Sequence, residues 1–157
     1  MIPPLDSRGL LPQGRHPCTD WDELEFHFGT NDYRVSLLTR AKEFVRDRLT
    51  PIGSGLELVV GGSFLTDKAC PGDIDIVVII PIKDVVKYSQ VLTMFATEGA
   101  KGPIWEEYKV EFYVQLDGAG NSLALFFEYV GEKSAEAKGL SPKDKRGTVG
   151  IESWTLG

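Results

Sequence analysis

Gly61-Gly62-Ser63-Phe64-Leu65-Thr66-Asp67-Lys68-Ala69-Cys70-Pro71-Gly72-Asp73-Ile74-Asp75-Ile76-Val77-Val78-Ile79-Ile80 is the stretch that decides how this chain folds. Leu56, Leu58, Val59 and Val60 lead into a Gly-Gly-Ser turn, a short loop follows, and two aspartates open a second apolar run. Side chains at i and i+2 of a strand share a face, about 7 Å apart for two rises of roughly 3.3 Å. Asp73 and Asp75 therefore present two carboxylates together at the mouth of an Ile/Val strand. Anions held that close repel unless a cation lies between them. Ligands that are all oxygen favour a magnesium-class ion, which keeps several waters and takes phosphate oxygens in its remaining positions. Gly61, Gly62 and Ser63 add free backbone N–H groups and a hydroxyl, the other half of a phosphate site.

The neighbouring sequence supplies the rest of a sheet and its helices. From 32 to 49, Val35, Leu38, Ala41, Val45 and Leu49 fall at helical spacing, with Thr30 or Asn31 as start and Thr50-Pro51 as stop. Arg34, Arg40, Lys42, Arg46 and Arg48 read as the solvated side of that helix, a face that an acidic partner could use. Strands are expected at 56–60 and 74–81, apolar enough to be buried on both faces. A second long helix is expected at 83–97, ended by Gly99. A third strand at 109–115 alternates, with Val110, Phe112 and Val114 on one face and Glu111, Tyr113 and Gln115 on the other. Residues 117–121 form a turn, 122–130 a strand or a helix, and 148–151 a last strand with Trp154 as an anchor. At the other end, 1–19 hold four of the nine prolines and read as an extended arm, followed by a short helix over 21–28 capped near Thr19. The division expected is an arm and short helix over 1–30, then one domain over 31–157. The fold class is α/β (α+β), a mixed central sheet with helices mainly on one face.

Gly62-Ser63, nine residues, then Asp73-Ile74-Asp75 resembles the signature of the DNA polymerase beta-like nucleotidyltransferase superfamily. Leu11-Pro12-Gln13-Gly14-Arg15-His16-Pro17, Trp21-Asp22-Glu23-Leu24, Phe28-Gly29 and Arg34 are similar to short bacterial nucleotidyltransferase-like proteins with a Leu-Pro-x-Gly-x-His opening, a Gly-Ser-Phe turn and an Asp-x-Asp strand. The resemblance covers roughly residues 10 to 115. It implies a third metal-binding carboxylate on a neighbouring strand, for which Glu111 in Val110-Glu111-Phe112 is the candidate. Glu replaces the more usual Asp there, lengthening the arm by one methylene. It further implies Mg²⁺ or Mn²⁺ on Asp73, Asp75 and Glu111, an NTP whose β and γ phosphates lie on Gly62 and Ser63, and an electrostatic phosphoryl transfer. Lys68 is a candidate phosphate contact by its nearness in sequence. The arginine that many relatives carry after Gly-Ser is replaced by Phe64-Leu65-Thr66-Asp67, and the loop is shorter by a residue.

Charge and composition narrow the partners. A net charge of −6 argues against coating a long nucleic acid, whereas a nucleotide bound through metal ions is compatible with it. No apolar stretch approaches the about 18 residues of a membrane span. The N-terminus lacks the basic start and apolar core of a secretory signal, and Cys18 and Cys70 fit a reducing cytoplasm. His16 reads as a structural hydrogen bonder rather than a catalyst. With no room for the helical domain of larger relatives, the acceptor hydroxyl is expected on a partner protein or a tRNA, as in toxin–antitoxin or defence systems. The alternative is a catalytically inactive member that binds a partner as an antitoxin or complex subunit, or a sensor that binds nucleotide without transferring it.

Overall fold

The computed structural model describes residues 1–99, 101–118 and 122–157. Five strands form one mixed sheet: β1 (Gly14–Asp20), β2 (Glu57–Gly61), β3 (Ile74–Pro81), β4 (Val110–Asp117) and β5 (Gly147–Ser153), in the order β1-β5-β2-β3-β4. β2 is antiparallel to β3 and to β5, while β1 with β5 and β3 with β4 run parallel. Six α-helices are present among the described residues: α1 (Trp21–Phe28), α2 (Asp32–Phe44), α3 (Val85–Glu98), α4 (Pro103–Tyr108), α5 (Leu123–Phe126) and α6 (Glu132–Lys138). This is the expected α/β class.

The two faces of the sheet differ. Leu58, Val60, Ile74, Ile76, Val78, Ile80, Val110, Phe112, Val149 and Ile151 pack against α1 to α4 in the main core. The alternate positions Val59, Val77 and Ile79 face the other way, where Ala124 and Phe127 cover them and Tyr113 joins from β4. Helices therefore lie mainly on one face, and among the described residues the short α5 segment with Phe127 shields the other. Burial of the central strands on both sides explains their near-continuous apolar sequence.

Capping residues set the helix starts. Asp20, not Thr19, caps α1 by accepting from the Glu23 backbone N–H (3.0 Å), and the Glu23 carboxylate reaches back to the Thr19 N–H (2.7 Å). Asn31 caps α2 in the same way through the Arg34 N–H (2.8 Å). The helix continues past Phe44 as a π-helical turn, Val45–Leu49, before Pro51 ends it. Trp154 is an anchor as expected: it is buried, its indole N–H donates to the Leu56 carbonyl (2.9 Å), and its own carbonyl accepts from Trp21 (2.8 Å). His16 is a structural hydrogen bonder, its Nε2 lying 2.6 Å from the Pro12 carbonyl.

Three expectations change. Residues 14–20 form a sheet strand rather than part of a free arm, pairing with β5 from Gly14↔Gly147 to Asp20↔Ser153. Pro17 is tolerated because β1 is an edge strand. Within 122–130 only Leu123–Phe126 form a helix, α5, while Tyr129 makes an isolated bridge with Lys145, and α4 and α6 are additional. Arg34 does not belong to the solvated face: it is 2% exposed and lies under the loop after the Gly-Gly-Ser turn. Part of the turn expected at 117–121 lies outside the described residues.

Candidate active site

The strand register builds the site. Gly61 pairs with Asp75 across β2 and β3, and Asp75 pairs with Glu111 across β3 and β4. A glycine and two acids thus lie in one row across the sheet, on the face opposite the main core. Asp73 precedes β3 on the same side. One carboxylate oxygen from each of Asp73, Asp75 and Glu111 lies within 4.8 Å of the others. The three sequence-derived acids meet at one point.

Glycine at position 62 is required twice over. Its φ of +81° is left-handed territory, and a Cβ there would sit 1.8 Å from Asp75 Oδ2. The carboxylate occupies the space a side chain would fill, so the turn and the acid touch directly. Gly61 has a similar role beneath the roof, because a Cβ would meet Phe127 Cβ at 2.8 Å.

The loop between turn and acids is held from below by the first turn of α2. Arg34 donates from Nε to the Phe28 carbonyl (2.6 Å) and from its two terminal nitrogens to the carbonyls of Lys68 and Phe64. Its guanidinium also lies 4.5 Å from the centre of the Phe64 ring. Asn31 Nδ2 donates to the Ala69 carbonyl (2.9 Å) and Tyr33 to that of Pro71 (2.7 Å). Asp67 is turned into a pair with Lys138 (2.6 Å), which balances its charge.

Electrostatics single out Asp75. Burial first, then the carboxylates of Asp73 and Glu111, push its pKa up to about 8. Arg146 and Lys101 oppose that rise. Asp73 accepts from the Trp105 indole (3.0 Å) and from Lys101 Nζ (3.3 Å), and Lys101 and Lys109 both lie over the Trp105 ring. Burial, followed by the neighbouring Glu111, raises the Tyr113 pKa and keeps its hydroxyl protonated.

Of the phosphate candidates, Gly62 and Ser63 adjoin Asp75 through the turn. Lys68 is exposed and joins the network through its backbone, its carbonyl taken by Arg34. The cations that the fold brings to the acids are Lys101 and Arg146, which sequence reasoning missed. They arrive from 28 and 71 positions beyond their carboxylates, and no local pattern marks them.

A mixed-sheet α/β domain with a carboxylate triad beside a glycine turn is the class that fold and site define. The chain belongs to DUF6932, a family of unknown function, whose sequence profile matches residues 3–151. No curated protein and no solved structure matches it.

Proposed function

We propose that this protein is a metal-dependent nucleotidyltransferase that moves a nucleoside monophosphate from an NTP to a hydroxyl on a partner protein or a tRNA. The observation that carries the reading is the convergence of Asp73, Asp75 and Glu111 within 4.8 Å, against a glycine turn whose missing Cβ makes room for Asp75. Three carboxylates with oxygen-only donors fit Mg²⁺ or Mn²⁺. Asp73, Asp75 and Glu111 would hold such ions, which supply charge neutralisation on the phosphates and activation of the attacking hydroxyl.

The residues of the chain do the positioning. Trp105 orients Asp73 through a single hydrogen bond, leaving the second carboxylate oxygen available. Gly62 lets Asp75 lie against the turn, so a phosphate on the Gly62 and Ser63 backbone would sit beside the acids. Arg34 fixes the carbonyls of Phe64 and Lys68, which keeps that turn in shape without cost at the moment of reaction. Glu111 stands on β4, an edge strand of the sheet, where an acceptor hydroxyl can approach.

The test is thermal unfolding with each NTP and Mg²⁺ or Mn²⁺, on wild type and on Asp73→Asn/Asp75→Asn. A ligand at 100 times its dissociation constant adds about 2.7 kcal/mol, which moves the midpoint by about 5–10 °C for a chain of this size. A metal-dependent rise lost in the double variant supports the reading, followed by pyrophosphate release once an acceptor is supplied. A well-folded protein that answers to no NTP would sink it.

The alternative is a silent member that binds a partner, and one surface feature is compatible with it. Ile82 (54%), Val85 (66%), Val86 (71%), Leu125 (54%) and Phe126 (69%) are all exposed. Phe126 also lines a cavity of about 470 Å³ with Tyr88, Val114 and Leu123. Exposed apolar side chains of this kind suit a protein partner, and such a partner serves either reading.

A further inference from the structure

Two buried side-chain polar atoms lack a hydrogen-bond partner among the described residues, Arg146 Nη1 and Thr148 Oγ1. They come from residues two apart, Arg146 just before β5 and Thr148 within it. Val149 and Ile151 point into the main core, so Thr148, and Arg146 two residues before it, lie on the opposite face, the face of Asp75. The antiparallel register from Leu58↔Ile151 to Val60↔Val149 carries the start of β5 toward the end of β2, beside Gly61, Gly62 and Ser63.

Arg146 is 7% exposed and Thr148 is fully buried. The Arg146 Nε–H is taken by the Phe127 carbonyl (3.4 Å), which fixes the guanidinium and leaves its Nη end for another acceptor. Asp75 and Arg146 feel each other's charge. Desolvating a guanidinium without completing its hydrogen bonds is costly, and native proteins seldom keep such a group without a use for it. An N–H donor calls for an acceptor, and a cation for negative charge. A guanidinium paired with a hydroxyl suits a phosphate, whose several oxygens take both kinds of bond.

We propose that Arg146 and Thr148 form an anion subsite on the Gly62 side of the acidic triad, which takes a phosphate of an oligophosphate chain. The nucleotide as source of that chain rests on the transferase reading; the subsite itself does not. Arg146 completes the site from a strand far from the Gly-Ser turn in sequence, and the acids, the turn and the cation then surround one phosphate on three sides.

The experiment is calorimetric titration with Mn²⁺, then with inorganic tripolyphosphate in the presence of Mn²⁺, on wild type, Arg146→Gln, Arg146→Lys and Thr148→Val. Wild type should bind tripolyphosphate. Arg146→Gln should lose about tenfold or more in tripolyphosphate affinity while keeping its Mn²⁺ affinity within about threefold, as expected for one lost charge-assisted contact. Arg146→Lys should fall between them and Thr148→Val should lose about threefold. If Arg146→Gln does not fold, Arg146→Lys decides, because a mere counter-charge to Asp75 would be served equally by lysine. Tripolyphosphate affinity unchanged in Arg146→Lys and in any folded Arg146→Gln overturns the subsite. Arg146-dependent tripolyphosphate binding by a protein whose unfolding midpoint answers to no NTP overturns the transferase reading and leaves the subsite standing. A wild type that binds no tripolyphosphate overturns the subsite, while the NTP-dependent midpoint shift decides the transferase reading separately.

Discussion

Replacing Asp75 by asparagine should stabilise the metal-free protein, and by more as pH rises. Burial and two neighbouring carboxylates push Asp75 up to about 8 in the folded chain, whereas an unfolded Asp ionises near pH 4. Between those values the folded state holds a proton that the unfolded state has released. The stability tied to that proton is complete below about pH 4 and is lost as pH climbs toward about 8. At about 1.4 kcal/mol per pH unit, the loss by pH 7 reaches a ceiling of about 4 kcal/mol, against about 1.5 kcal/mol at pH 5. Asparagine keeps the shape of the protonated acid and carries no charge, so it escapes the loss. The assay is thermal unfolding followed by circular dichroism in EDTA at pH 5 and pH 8 on both proteins. The gap should favour Asp75→Asn and widen at pH 8 by several degrees, since each kcal/mol moves the midpoint about 2–4 °C. Excess Mg²⁺ or Mn²⁺ should reverse the order by rescuing wild type alone. A gap that does not change with pH, or a variant less stable than wild type at pH 8, would refute the reasoning.

Other substitutions probe the supports of the site. Gly62→Ala meets both the φ of +81° and the Asp75 carboxylate at 1.8 Å, so it should cost more than about 2 kcal/mol in urea unfolding and abolish Mn²⁺ binding. Arg34→Met leaves the carbonyls of Phe28, Phe64 and Lys68 without their donor; calorimetry should record a midpoint lower by about 6–12 °C, from a loss of at least about 3 kcal/mol. Glu111→Gln should weaken Mn²⁺ at least about tenfold in a titration while the unfolding midpoint stays level or rises, because a charge facing Asp75 is removed. Trp154→Ala should destabilise by about 3–5 kcal/mol in denaturant unfolding, since both a buried ring and the donor to Leu56 are lost.

What the sequence made legible follows from how local each signal is. The strand at 74–81 and the pairing of Asp75 with Asp73 just before it were readable because alternation over a few residues fixes which side chains share a face. Glu111 came into view through the family resemblance, which implies a third carboxylate on a neighbouring strand, and the parallel register of β3 and β4 sets it beside Asp75. Position 34 falls on the buried stripe of α2 with Leu37, Leu38 and Ala41, yet the charge of arginine outweighed its spacing in the reading. Three carbonyl acceptors, invisible in sequence, are what make its burial affordable. β1 was missed because its partner lies 133 positions away and the prolines of the first 19 residues, Pro17 within the strand among them, argue for a loop. Lys68 drew attention by nearness along the chain, whereas Lys101 and Arg146 are near only in space.

The place of β5 in the sheet has a consequence for how the chain matures. It follows the other four strands in sequence but lies between β1 and β2. During synthesis, β1 has no neighbour and β2 keeps a bare edge until residues 147–153 emerge from the ribosome. Unpaired edges of this kind recruit other chains, so the nascent protein stays vulnerable to misassembly until that strand is made. The same event delivers Arg146 to Asp75. Completing the sheet and assembling the charged cleft are thus a single step, and a ribosome stalled before that strand would hold a chain with its acids in register but no guanidinium beside them.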